Sequence, residues 1–287
     1  MQPSATREEM VSNCGQHGRT REAKVSRPLR LLLLLGVAMV MASSASISVA
    51  AAQNFADPRF ASVWNMDERR VPNFWGPLRL ASDGIQEPYN GGTRLVQYFD
   101  KGRMELTNGQ VTFGLLATQM VTGDIQQGDQ SSRHLAPSLT KIAGDADGLG
   151  PSYRTIADNR SPLLTPRDPK PGQEISLLFD TSNTLIVSPN PASPGGPIAN
   201  GAYDSATQHN VLAAFADYRL QAGMGTIGLA ISEPFAAYFT VGGVERAIAV
   251  QVFERRVLTY TEGNPPDFRV EMGNIGQHFF NWVYNGH

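Results

Sequence analysis

The chain has 287 residues, a single cysteine and a formal net charge of −2. One cysteine excludes a disulfide framework, and a near-neutral balance gives no basic footprint for nucleic acid or an anionic membrane. Frequent glycine and proline, with few helical patterns, predict a β-rich α+β protein.

Residues 1–52 read as a secretory signal. Arg19, Arg21, Lys24, Arg27 and Arg30 precede the apolar run Leu31 to Met41, and Ala50-Ala51-Ala52 supplies a small-residue cut site before Gln53. An uncleaved anchor is the rival reading, but a spanning helix needs about 20 apolar residues and this run is shorter. Met10 or a later start codon could be the true initiator. The leader holds six basic and three acidic residues of the totals 24 and 26, so the remainder carries a net charge of −5. No integral membrane span is expected after cleavage.

Residues 53–122 form a first predicted module. Phe60 and Trp64 share one helical face, and Pro72 stops that helix. Phe74-Trp75-Gly76-Pro77 and Glu87-Pro88-Tyr89-Asn90-Gly91-Gly92 read as turns. Strands are predicted over Thr93 to Tyr98, Arg103 to Thr107 and Val111 to Phe113, with a short helix closing the unit by Val121. Residues 123–209 read as a small β insert between proline-rich flanks, with a hairpin joining Glu174 to Phe179 and Thr184 to Ser188.

Residues 210–287 form the second module, opened by a helix from Asn210, an eligible N-cap, to Leu220. Val250-Gln251-Val252-Phe253-Glu254-Arg255 then repeats Val96-Gln97-Tyr98-Phe99-Asp100-Lys101. Glu233-Pro234-Phe235 answers Glu87-Pro88-Tyr89, and Gly273 answers Gly114. The expected architecture is two copies of a helix–turn–β-hairpin module flanking the insert, with Gln97 and Gln251, Phe99 and Phe253 as shared framework.

These residues resemble the LGFP-type repeats of bacterial exported proteins. Gly228-Leu229-Ala230-Ile231-Ser232-Glu233 stands in the family's Gly-x-Pro-x-x-Glu turn position and Val250 to Tyr260 in its strand position. Ala230 departs from the family's proline, and Arg255-Arg256 from its glycine-containing strand, although the first copy keeps Gly102. The longer string through Val270-Glu271-Met272-Gly273-Asn274-Ile275 is also similar to exported proteins of Chloroflexi-type bacteria. The resemblance covers about Phe74 to Val121 and Asn210 to Tyr284, and implies recognition of cell-wall or extracellular polysaccharide.

Motifs for chemistry are sparse. No Gly-x-Ser-x-Gly, phosphate loop or His-x-x-x-His spacing occurs, and no cofactor, metal or catalytic residue is expected. His209 and His278 read as structural hydrogen-bonders. Asp145-Ala146-Asp147-Gly148 reads as a turn, lacking the third acid and distal glutamate of a calcium loop. Asp100-Lys101 and Glu254-Arg255-Arg256 are expected on a solvated strand face. Candidate binding residues are Trp75, Glu87, Tyr89, Tyr98, Glu233 and Tyr260: aromatics able to stack on sugar rings, and acids at equivalent repeat positions. The expected function is a non-catalytic, polysaccharide-binding protein of the cell envelope. The alternatives are an extracellular glycan hydrolase with a site between the repeats, or a protein-interaction scaffold.

Overall fold

The computed structural model describes residues 54–77, 84–188, 191 and 198–286. The expected signal over 1–52 lies outside the described residues. The described residues form one compact unit.

Asp57 caps the first helix, α1 (Pro58–Arg70), by accepting from Arg59 N, and a proline at its first position costs no hydrogen bond there. An antiparallel meander follows, β1 (Ile85–Tyr89), β2 (Gly92–Phe99), β3 (Gly102–Thr107) and β4 (Gln110–Phe113), closed by α2 (Leu116–Thr122). The middle of the chain supplies β5 (Asp124–Gln126) with β6 (Ser132–His134), then α3 (Tyr153–Asp158) and α4 (Arg160–Leu163). It continues with β7 (Leu177–Phe179), β8 (Leu185–Val187), β9 (Asn200–Asp204) and β10 (His209–Leu212). Helices α5 (Ala213–Ala222) and α6 (Met224–Ile227) lead into a second meander, β11 (Phe235–Val241), β12 (Val244–Val252), β13 (Val257–Tyr260) and β14 (Val270–Met272). Helix α7 (Ile275–Phe280) closes it. Strand residues outnumber helical ones, so the fold is β-rich α+β.

Three local expectations change. Glu87-Pro88 lies in strand β1 rather than a turn; Pro88 is tolerated because β1 is the sheet's edge. Asn210 caps no helix: it lies in β10, and α5 starts three residues later without a side-chain cap. Its amide is fully buried, donating to Glu233 Oε2 and accepting from Lys170 N. The predicted hairpin of the middle region forms as β7–β8 but joins the second sheet, with β7 parallel to β11, giving the order β14-β13-β12-β11-β7-β8.

The two halves share their cores. One cluster gathers Val96 and Tyr98 of the first meander with Val250 and Val252 of the second, between Met120 of α2 and Phe279 of α7. The other joins Phe99 and Met104 to Phe253 and Leu258, with Phe60 of α1 and Phe215 of α5. Hydrogen bonds cross in both directions. Thr118 N of α2 donates to Glu254 O at 3.2 Å, while Gly276 N and Gln277 N of α7 donate to Asp100 O at 3.0 and 3.2 Å. Each meander's central turn is therefore covered by the helix that closes the other meander. Gly276 is required there, since a Cβ would overlap the Phe99 carbonyl oxygen.

That covering buries one residue of each charged string and leaves Lys101, Glu254 and Arg255 half-buried. Asp100 and Arg256 are buried in these turns. The Arg256 guanidinium lies 4.7 Å from the Trp75 ring centroid and fills the space that a side chain at Gly102 would take. Burial pulls the Arg256 guanidinium down to about 9, with Arg255 adding to the effect and Asp67 opposing it.

Both framework glutamines are fully buried and make equivalent clasps. Gln97 Oε1 accepts from Ala56 N at 3.1 Å and its Nε2 donates to Asn54 O at 3.1 Å. Gln251 Oε1 accepts from Leu212 N at 3.2 Å, and its Nε2 donates to Asn210 O at 2.6 Å and Ser232 O at 2.8 Å. Each clasp ties the segment leading into a helix to the meander that follows. Gln251→Leu leaves three enclosed backbone groups unpaired, at about 1–3 kcal/mol each before relaxation. A melting temperature lowered by roughly 6–12 °C is expected in a thermal unfolding scan; an unchanged one would contradict the clasp.

Candidate functional site

Glu87 and Glu233, the acids expected at equivalent positions, both have structural partners. Glu87 faces inward from β1: Tyr98 and Tyr284 hydroxyls donate to its Oε1 at 2.6 and 2.7 Å, and Arg103 NH1 to its Oε2 at 3.0 Å. The chain of charge continues from Arg103 to Glu105 and from Glu105 to Arg94 NH1 at 2.7 Å. Tyr284 follows α7, so this network latches the second half's end onto the first half's sheet. Burial pushes the Glu87 carboxyl up, but Arg103, the two phenols and Arg94 together outweigh it and hold it below the ordinary 4.5. Glu233 is tied down differently: Asn210 N donates to Oε1 and Asn210 Nδ2 to Oε2, both at 3.0 Å, with His209 Nδ1 3.3 Å from Oε1.

The predicted aromatics divide in two. Trp75 and Tyr98 are at most 1% exposed, so neither offers a ring to a sugar. Trp75 donates through Nε1 to the buried Asp67 at 3.0 Å and packs on Phe99 and Phe113. The register of β2 turns Tyr98 toward α7, where it stacks against Phe279. Tyr89 is half-buried at the β1–β2 hairpin tip, where its hydroxyl donates to Asp129 at 2.6 Å and Arg94 lies 4.2 Å from its ring centroid. Tyr260 is half-buried on β13, packed beside the second core cluster. The structure brings Glu87, Tyr89 and Tyr98 to one sheet face and leaves Trp75, Glu233 and Tyr260 apart from them.

The other sequence candidates also hold the chain together. Asp145 accepts from Gly242 N and Gly243 N at 3.0 and 2.8 Å, clasping the β11–β12 turn. His278 Nδ1 lies 3.2 Å from the Tyr153 hydroxyl, and burial pushes its imidazole down to about 4. Among the described residues no group of three or more His, Cys, Asp or Glu could hold a metal ion, and no helix is long and apolar enough to cross a membrane.

The two meanders differ most between their last two strands. Asn108-Gly109 joins β3 to β4, whereas residues 261–269 join β13 to β14, with a single 3-10 turn at Pro266–Phe268. Pro266, Asp267 and Phe268 of that longer connection line a surface groove of about 640 Å3 together with Ala214, Asp217, Tyr218 and Gln221 of α5 and with Val71 and Pro72. Phe268 is 60% exposed. Burial pushes the Tyr218 hydroxyl up to about 12, so it stays a neutral donor at any ordinary pH. Asp217, Gln221 and Asp267 are exposed and supply acceptors and an amide along the rim. The sequence signal for this groove is Asn264-Pro265-Pro266-Asp267-Phe268, which has no counterpart between β3 and β4.

Comparison with protein-family models, curated proteins and solved structures gave no match.

The Glu87 network predicts an acid-sensitive contribution. Its folded-state carboxyl lies below the unfolded value, so the stabilisation is complete above about pH 4.5 and lost as pH falls through the folded value. Glu87→Gln should cost roughly 3 kcal/mol at pH 7. In melting curves against pH, its gap from wild type should narrow below pH 4.5; a constant gap would contradict the charge network.

Proposed function

We propose that this is an exported, non-catalytic protein of the cell envelope that binds cell-wall or extracellular polysaccharide in the groove between α5 and the β13–β14 connection. The observation carrying this reading is a groove lined by the exposed Phe268 ring together with Tyr218, Asp217, Asp267 and Gln221. Sugars offer an apolar ring face and a periphery of hydroxyls. Aromatic and polar side chains lining one groove meet both requirements. A saccharide stacked on Phe268 would cover apolar area, and its hydroxyls would donate to the two aspartates while accepting from Gln221 and Tyr218. The basic, apolar and alanine-rich leader supports export, and the LGFP-like pattern supports a cell-envelope setting.

A binding role is favoured over hydrolysis by where the carboxylates lie. Glu87 and Glu233 are held by neighbouring residues, and Asp217 and Asp267 stand in open solvent. A glycosidase places its acid pair across the scissile bond, with one carboxyl prepared to give a proton. The groove's acids are placed to accept hydrogen bonds from hydroxyls.

Retention on purified cell-wall polysaccharide fractions tests this. Phe268→Ala removes an exposed ring and should leave the melting temperature unchanged while weakening retention about tenfold. Equal retention of wild type and variant, or retention of neither, would overturn the assignment. Release of reducing ends by wild type and its loss in Asp217→Asn would turn the reading to a hydrolase.

A further inference from the structure

The groove between α5 and the β13–β14 connection carries charge of one sign. Among the described residues that line it, Asp217 and Asp267 are the charged ones, and both are exposed. No lysine, arginine or histidine stands among those residues to balance them. The basic residues next in the chain to that lining are engaged with other groups. Arg70 NH1 lies 3.5 Å from Asp67 Oδ1, and Arg219 NH1 lies 3.0 Å from Asp204 Oδ2. Arg269 Nε donates back to its own loop, to Asn264 O at 3.3 Å.

Unbalanced carboxylates sort the ligands that such a groove can take. An acidic glycan would set its own carboxylates against Asp217 and Asp267, and like charges brought together oppose binding. A neutral glycan can donate hydroxyls to them. A glycan with free amines donates from ammonium groups instead, and hydrogen bonds between ionised partners are about twice as strong as neutral ones. Phe268 lines the same groove and is 60% exposed. The face of a phenyl ring attracts a cation and also covers the apolar face of a sugar. The groove's volume of about 640 Å3 lies within the roughly 300–1,000 Å3 of sites that enclose a drug-sized ligand, which is room for a short oligosaccharide.

We propose that this groove selects polysaccharide bearing free amino groups, as in de-N-acetylated amino sugars, over neutral and acidic polymers. The proposal rests on the reading of the groove as a polysaccharide site and adds the chemical class of its ligand. Ammonium groups of the polymer pair with Asp217 and Asp267, while a sugar face covers Phe268. Both carboxylates are exposed, so each pair contributes little alone and is weakened by salt. A polymer that repeats the ammonium along its length engages both carboxylates in one binding event, and the selectivity is their combined effect.

Calorimetric titration of the purified protein with short oligomers of glucosamine, N-acetylglucosamine and galacturonic acid tests the assignment. The titrations are run at about pH 5.5, where sugar amines are protonated and exposed aspartates are ionised. At low salt the glucosamine oligomer should bind about tenfold more tightly than the acetylated one, and the acidic oligomer most weakly. The advantage should shrink as salt is raised. Asp217→Asn combined with Asp267→Asn replaces two exposed carboxylates by amides of the same shape. This double variant should keep the wild-type melting temperature and bring the glucosamine and N-acetylglucosamine oligomers to near parity. Equal affinity of the wild type for those two oligomers, or an undiminished preference in the double variant, would overturn the charge selection. Phe268→Ala should still weaken both oligomers in that case, so the polysaccharide groove itself would stand. Binding of none of the three, or binding indifferent to Phe268→Ala, would remove the groove reading and this proposal together. A lysine oligomer of equal charge that binds as tightly as the glucosamine oligomer would overturn the sugar assignment in favour of a cationic peptide.

Discussion

Two buried glutamine side chains set the frame on which everything else rests. A buried primary amide must find partners for both its oxygen and its nitrogen, or enclosing it costs more than any packing around it returns. Gln97 and Gln251 find theirs in the backbone just ahead of α1 and in β10 just ahead of α5. Each thereby fixes where a helix begins relative to the meander that it covers. With helices and meanders registered, the central turns meet the closing helices of the opposite half, and both cores become continuous across the molecule. Neither half buries its core alone.

This sharing decides which conspicuous residues are left for function. Buried charges are usually paired: Glu87, Arg103, Glu105 and Arg94 neutralise one another in sequence, whereas Arg256 lies against the rings of Trp75 and Phe74. Most of the residues with obvious chemistry are absorbed in this way. One opening lies where the halves differ, in the connection between the last two strands of the second meander. The extra connection after β13 adds Pro266, Asp267 and Phe268, and these build the groove.

The sequence made the regular parts readable. Strand alternation and the Asn-Gly turns placed β2, β3, β4, β7, β8 and the closing helix α2 within a few residues. Glu87-Pro88 misled because proline is a turn former when seen alone, and only the sheet reveals that β1 is an edge where its missing N–H costs nothing. Asn210 misled because an asparagine before an apolar stretch looks like a cap, whereas its amide pairs with Glu233, far away in sequence. Trp75 and Tyr98 could not be sorted into core or surface, since burial of an aromatic depends on what lies across the sheet. Phe268 drew no notice because a lone phenylalanine after two prolines carries no periodic signal.

Amide hydrogen exchange, measured with and without the polysaccharide fraction that retains the protein, tests most directly whether function lies where the halves differ. The account predicts added protection confined to the amides of Ala214 to Gln221 and Phe268 to Val270, with the β1–β2 hairpin around Tyr89 unchanged. Protection centred on that hairpin, or on no segment at all, would contradict it.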